Sequence, residues 1–233
     1  MVNNWLNIIQ QYLLPPTCIL CENAGFDSQD ICQGCFADLI RNIHCCYRCA
    51  EIFDTANTIP QLCGHCISSP PAFDETYAPF IHLGIIRHLI THLKFNHQYK
   101  NARLLGMLLA NHLQKTAEMP ELIIPIPLHK LRFQQRGFNQ STEIANILSK
   151  QLQIPINTTS CIRDKNTPHQ INLHAKQRHR NIKNAFKVIK PIKAQHVAIF
   201  DDVMTTGTTV NELAKILKKS GVNRVDIWVC ARA

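Results

Sequence analysis

Eight cysteines in four C-x-x-C pairs constrain this chain more than any other feature: Cys18 with Cys21, Cys32 with Cys35, Cys46 with Cys49, and Cys63 with Cys66. That spacing lets two thiolates from one tight turn reach the same tetrahedral ion, and a second turn completes the coordination. Eight ligands therefore predict two structural zinc ions. Loops of 10 residues between Cys21 and Cys32 and of 13 between Cys49 and Cys63 suit two successive ribbons. Interleaving, with the first knuckle joined to the third, is the alternative. Cys45 is the spare thiol because Cys46 keeps the two-residue gap, and His44 and His65 read as surface residues beside eight better-spaced sulfurs. A disulfide scaffold needs an oxidising compartment that nothing here indicates, and redox C-x-x-C motifs come singly beside a βαβ unit. A module of about 50 residues buries little core, so the metal is expected to supply its folding energy.

Beyond Pro70-Pro71, which reads as a linker between a zinc module at 17–69 and a domain at 77–233, the periodicity changes. Strands are predicted at 77–83, 121–127, 197–201 and 224–230, and helices at 85–95, 101–115, 140–152 and 210–219. Strands alternating with helices give an α/β domain with a mostly parallel sheet. Ahead of the cysteines, Trp5, Leu6, Ile8, Ile9, Tyr12, Leu13 and Leu14 make 1–16 an amphipathic helix ended by Pro15-Pro16. It is expected to dock on its own domain ahead of a partner groove or a membrane surface. Met1 to Leu14 holds no Lys or Arg, so the charged start of an export signal is missing, and no apolar run reaches membrane-spanning length.

The segment 197–212 carries the chemistry. Val197 to Phe200 is an apolar strand that holds Asp201 and Asp202 at its carboxyl end, where open α/β sheets place ligands. Thr205, Thr206, Gly207, Thr208 and Thr209 then aim backbone N–H groups, hydroxyls and a helix start at one point, which favours an anion. Gly207 allows close approach or a positive φ. An ordinary helix cap needs one hydroxyl and has no use for paired acids followed by five small residues. Lys130, Arg132 and Arg136, near Gly137, follow a strand and lead into a helix as a second anion site. Charge agrees: residues 1–76 hold two Lys/Arg against eight Asp/Glu, net −6, and residues 77–233 hold 23 against eight, net +15. A polyanionic partner, nucleic acid or a phosphorylated substrate, fits the basic part.

The 197–212 loop resembles the binding loop of type I phosphoribosyltransferases. That resemblance implies that Asp201 and Asp202 hold the ribose hydroxyls of phosphoribosyl pyrophosphate (PRPP) while Thr205, Thr206, Gly207, Thr208 and Thr209 cradle its 5-phosphate, with Mg2+ held largely by PRPP and water. Arg136-Gly-Phe-Asn-Gln140, the cysteine array and Leu93-Lys-Phe95 together resemble the ComF (ComFC) family of bacterial competence proteins, over about 18–233. The family likeness implies a zinc module before a phosphoribosyltransferase-like domain. It also implies single-stranded DNA as partner, a role in natural transformation, a cytoplasmic location, and contact with DNA-uptake machinery at the inner face of the membrane. The alternative is a metabolic phosphoribosyltransferase acting on a nucleobase. Hypoxanthine-type enzymes have an Asp where this chain has Thr205, whereas orotate-type loops have Thr, so the acceptor base is left open.

A third segment, 163–193, holds nine Lys/Arg against Asp164 alone. Arg163, Thr167, Gln170, Arg178, Asn181 and Phe186 fall where ComF-like chains repeat the same residues. Two readings stand. Arg163 and Arg178, with Lys130, Arg132 and Arg136, could cover the pyrophosphate as a flap that excludes water. Lys176, Arg178, Arg180, Lys183 and Lys187 could equally grip a nucleic-acid backbone through charge neutralisation. Phe133 and Phe138 are candidates for base stacking, against a plainer role in the core or hood. Were transfer to occur, Asp201 and Asp202 would be the catalytic pair, opposing the positive charge that grows at the ribose C1, with the cations stabilising departing pyrophosphate.

Overall fold

A computed structural model describes residues 15–54, 59–165, 182 and 184–233. The 1–16 helix expectation and the residues Thr167, Gln170, Lys176, Arg178, Arg180, Asn181 and Lys183 lie outside the described residues, except for 15–16. Two short helices sit within the cysteine region, α1 (Gln33–Ala37) and α2 (Gly64–Ser68). There follow β1 (Glu75–Tyr77), β2 (Phe80–Ile81), α3 (Gly84–Asn96), α4 (Tyr99–Thr116), β3 (Leu122–Pro125), α5 (Lys130–Arg136) and α6 (Gln140–Leu152). Then come β4 (Cys161–Arg163), β5 (Phe186–Val188), β6 (His196–Met204), α7 (Thr208–Lys219) and β7 (Arg224–Arg232).

The main sheet has the order β1-β7-β6-β3, with β2 extending the β1 edge of β7, and every pairing is parallel. The strand expected at 77–83 is two short strands that start at Glu75, because the chain breaks at Ala78-Pro79 between them. β6 runs to Met204, three residues past its expected end, held by the pairs Val203 with Ala231 and Met204 with Arg232. Polar residues at 201–202 would ordinarily end a buried strand; here the parallel partner β7 continues beside them. The antiparallel pair β4 and β5, anchored by Cys161 opposite Val188, was not anticipated, nor was α5.

Alternation along β6 and β7 divides the core in two. Ala198, Phe200, Trp228 and Cys230 face α3, α4 and α6, with Ile86, Leu89, Leu93, Leu105, Leu109 and Leu148. Val197, Ile199, Val225, Ile227 and Val229 face α7 and β5, with Val210, Leu213, Leu217 and Phe186. Gly106 brings α4 against α6; a Cβ there would lie 2.7 Å from the Ile147 side chain. The cysteine region divides with the sheet. Cys18, Ile31 and Leu39 belong to the first core, and Cys46, Cys49, Ala50, Cys66 and Phe73 to the second. Each ribbon thus borrows a face of the sheet for the core it is too small to build alone.

Candidate functional site

The cysteines settle into two groups, Cys18, Cys21, Cys32 and Cys35, then Cys46, Cys49, Cys63 and Cys66, with all sulfurs of a group within 4.8 Å of one another. Pairing is therefore successive. Sulfurs lie 3.5 Å apart for Cys21 and Cys32, and 3.6 Å for Cys49 and Cys63. Four ligands at about 2.3 Å from one ion stand about 3.8 Å from each other, so both cages fit zinc. Burial and then the neighbouring thiols push Cys35, Cys49 and Cys66 up, Cys66 to about 12. Burial opposes ionisation of Cys18 too, yet hydrogen bonds from the Cys32, Leu20 and Cys21 backbone hold it at about 6. Cys45 stands outside both cages, its Sγ 4.0 Å from the Asn42 carbonyl, as its place beside the knuckle predicted.

At the carboxyl end of the sheet, β6 turns through Thr205, Thr206 and Gly207 into α7. Gly207 takes φ +71°, a left-handed conformation that favours glycine, and a Cβ there would lie 3.0 Å from the end of the Met204 side chain. Thr206 and Thr208 hydroxyls are 2.8 Å apart. Asp201 and the residues 203–210 line one opening at this turn. Thr205 and Thr206 are exposed there, whereas Thr208 is buried.

Because the strand continues through both acids, successive side chains point to opposite faces of the sheet tip. Asp201 lines the opening and accepts a hydrogen bond from Ser141 Oγ at 3.0 Å. Asp202 turns to the helix face, where it is 3% exposed, ion-paired to Lys94 Nζ of α3 and bonded by Gln140 Nε2 at 3.1 Å. Their proton affinities separate accordingly. Burial and the adjacent Asp202 charge push Asp201 up to about 7. Burial opposes the Asp202 charge as well, but Lys94, Gln140 and Arg136 hold it below the usual carboxylate range.

The predicted cations converge in part. Arg136 donates to Gln140 Oε1 and feels Asp202, while desolvation lowers it. Desolvation also lowers Arg163, on β4, with Asp201 and Arg132 as its charged neighbours. Lys130 is exposed at the start of α5. Lys187 pairs with Asp164 at 2.6 Å instead of with the acids of β6. Phe138 is buried beneath the rings of His97 and Tyr99, and Phe133 is half exposed.

Two residues of this region were missed by sequence reasoning. Lys94 falls four residues after buried Ile90, so a lysine on the apolar stripe of α3 already asked for a buried partner. Arg232 gave no signal. It closes β7, 7% exposed, and its guanidinium donates to the carbonyls of Met204 and Cys49, both at 3.2 Å, and to the carbonyls of Thr205 and Ala233 and the carboxylate of Glu51. One side chain therefore joins a ligand of the second cage to the start of the Thr/Gly turn.

Among the described residues, no helix is long and apolar enough to cross a membrane. Residues 9–67 match the model of the double zinc ribbon domain. Adenine phosphoribosyltransferase from Leishmania tarentolae overlays 58% of each chain at 14% identity with a TM-score of 0.35. A hypoxanthine phosphoribosyltransferase from Staphylococcus aureus overlays 58% of this chain and 74% of its own at 15% identity and 0.36. Competence protein F of Haemophilus influenzae is 34% identical over 225 residues, 93% of this chain and 96% of that one. The DNA utilization protein YhgH of Escherichia coli O157:H7 is 33% identical over 230 residues, 94% of this chain and 98% of that one. With about one residue in three identical along nearly the whole of both relatives, the chain belongs to the family of Competence protein F and the DNA utilization protein YhgH.

Proposed function

We propose that this protein handles incoming single-stranded DNA during natural transformation, on the cytoplasmic side of the inner membrane, and that its α/β domain keeps a PRPP-binding pocket. The observation that carries the pocket is the opening at the sheet tip, lined by Asp201 and 203–210, with Arg136 the charged neighbour of Asp202, Arg163 that of Asp201, and Arg132 beside both arginines. Amides around Gly207 and the start of α7 receive the 5-phosphate, assisted by Thr205, Thr206, Thr208 and Thr209. Asp201 meets the ribose hydroxyls directly, and Asp202, kept ionised by Lys94, supplies fixed negative charge behind it. Lys130, Arg132, Arg136, Arg163 and Arg178 are the cations for the pyrophosphate. A carboxylate among hydroxyls is a hard oxygen donor set, which fits Mg2+ brought by PRPP; the ion would screen the pyrophosphate charge. Lys176, Arg178, Arg180, Lys183 and Lys187 supply phosphate contacts to DNA.

Titration calorimetry with PRPP and Mg2+ is the test of the pocket, with Asp201→Ala as control. Saturable heat that the variant abolishes is expected; no heat from the wild-type protein rejects the pocket. Binding of an oligo-dT that weakens steeply with salt is expected for the DNA role, and salt-insensitive binding rejects it. The metabolic reading is favoured by one feature, the complete Asp-Asp-Thr turn. It requires base-dependent release of pyrophosphate from PRPP; silence across a panel of nucleobases would leave the pocket as a sensor or a structural element.

A further inference from the structure

Of the two rings that sequence singled out, only Phe133 is open to a nucleic-acid base. Phe138 is buried, whereas Phe95, at the end of α3, is 67% exposed and Phe133, on α5, is 49% exposed. Leaving a phenylalanine so open forgoes most of the gain its burial would bring. Phe95 is also held in a defined setting. The Arg136 guanidinium lies over its ring at 5.7 Å and is itself oriented by Gln140 Oε1. Gln140 in turn binds Asp202, and Lys94, the residue before Phe95, pairs with the same acid. Phe133 precedes Arg136 by three positions on α5, so the two share a helix face. The two segments that carry the rings are basic: residues 84–117 and 122–142 contain no Asp or Glu and eight Lys/Arg, with Asp202 the acid that Lys94 and Gln140 hold behind them. Exposed aromatic faces set among cations that can follow a phosphate backbone are the recurrent solution for an unpaired strand.

We infer that Phe95 and Phe133, bracketing Arg136, form a base-stacking platform for single-stranded DNA beside the Asp201/Asp202 tip. The inference rests on the DNA-handling reading. Duplex DNA is the poorer occupant because its bases are hidden within the stack.

The experiment compares fluorescently labelled oligo-dT, an abasic strand of equal length and a duplex, each over a range of salt. Phe95→Ala and Phe133→Ala are expected to weaken oligo-dT binding by about 5- to 150-fold each. The slope against salt should be unchanged, and so should binding of the abasic strand and duplex. Phe95→Trp should restore the loss. Arg136→Gln should instead lower the salt slope by about one. Because both rings are exposed, truncation leaves the fold in place, and equal thermal midpoints verify it. Unchanged oligo-dT affinity in both Ala variants overturns the platform while leaving the DNA role intact. Equal loss on dT and abasic strands also overturns it, since bases would then contribute nothing. Absence of any strand binding by the wild-type protein removes the DNA role and the platform together.

Discussion

The two ribbons share one ligand pattern and differ in what they hold. The first cage has Cys21 exposed and reaches the helix-covered core through Cys18, Ile31 and Leu39. The second has Cys46, Cys49 and Cys66 buried and is stitched to the domain by polar contacts. Thr76 of β1 donates from N to the Tyr47 carbonyl at 3.1 Å and from Oγ1 to the Arg48 carbonyl at 2.6 Å. Arg232 then ties Cys49 and Glu51 to the Thr/Gly turn. Equal chemistry in sequence therefore gives unequal settings: the first cage organises a ribbon, and the second is also tied through Arg232 to the turn.

The largest contrast should come from cysteine variants paired across the cages. Cys49→Ser and Cys21→Ser are each expected to reduce bound zinc from two ions to one, measured by atomic emission. PRPP affinity should fall on the order of 100-fold in Cys49→Ser, where a buried cage beside Arg232 collapses, and by less than about 3-fold in Cys21→Ser. Equal losses in the two variants would dissolve the distinction between the ribbons.

Arg232→Met isolates the link itself. The second cage should retain its zinc while PRPP binding falls by about 10-fold, because carbonyls of Met204 and Thr205 lose their shared donor. Hydrogen exchange reads the same event without ligand: amides of 205–209 should exchange faster in the variant, and those of α4 should not. Unaltered exchange at 205–209 would show that the turn holds itself.

A smaller, pH-dependent effect belongs to the acid pair. Asp201 has its folded pKa raised, so the folded state binds the extra proton between the ordinary carboxylate pKa of 3.8 and about 7, and stability falls as pH rises through that window. Asp201→Asn removes that charge. Its thermal midpoint should match the wild type below about pH 4 and exceed it by on the order of 5 °C above pH 7. A gain independent of pH would mean that ionisation of Asp201, opposed by burial and then by Asp202, is not its source.

Much of this organisation was legible along the chain. The helix expected at about 140–152 runs from Gln140 to Leu152, where Asn139 caps Ser141 N and the apolar spacing continues to Leu148. Alternating elements gave the parallel sheet because each strand and helix is encoded by its own periodicity. The β4 and β5 pair was not legible: its three-residue strands lie 22 residues apart, too short for a periodic signal. Nor were the two fates of Asp201 and Asp202, which depended on β6 running three residues past its expected end at 201.

What the order of residues settled was local. A C-x-x-C turn brings two sulfurs to one ion, and an acid pair before a Gly-centred turn reaches a sheet tip, because both are built within a few residues of backbone. What folding alone settled was the company these groups keep: which knuckles come together, that Lys94 neutralises Asp202 while Asp201 lines the opening, and that Arg232 ties the turn to a ribbon some 180 positions away from it in sequence. The physical reason is that a buried charge must find a counter-charge or hydrogen-bond partner wherever packing supplies one, and packing brings together segments that no short stretch of sequence can pair in advance.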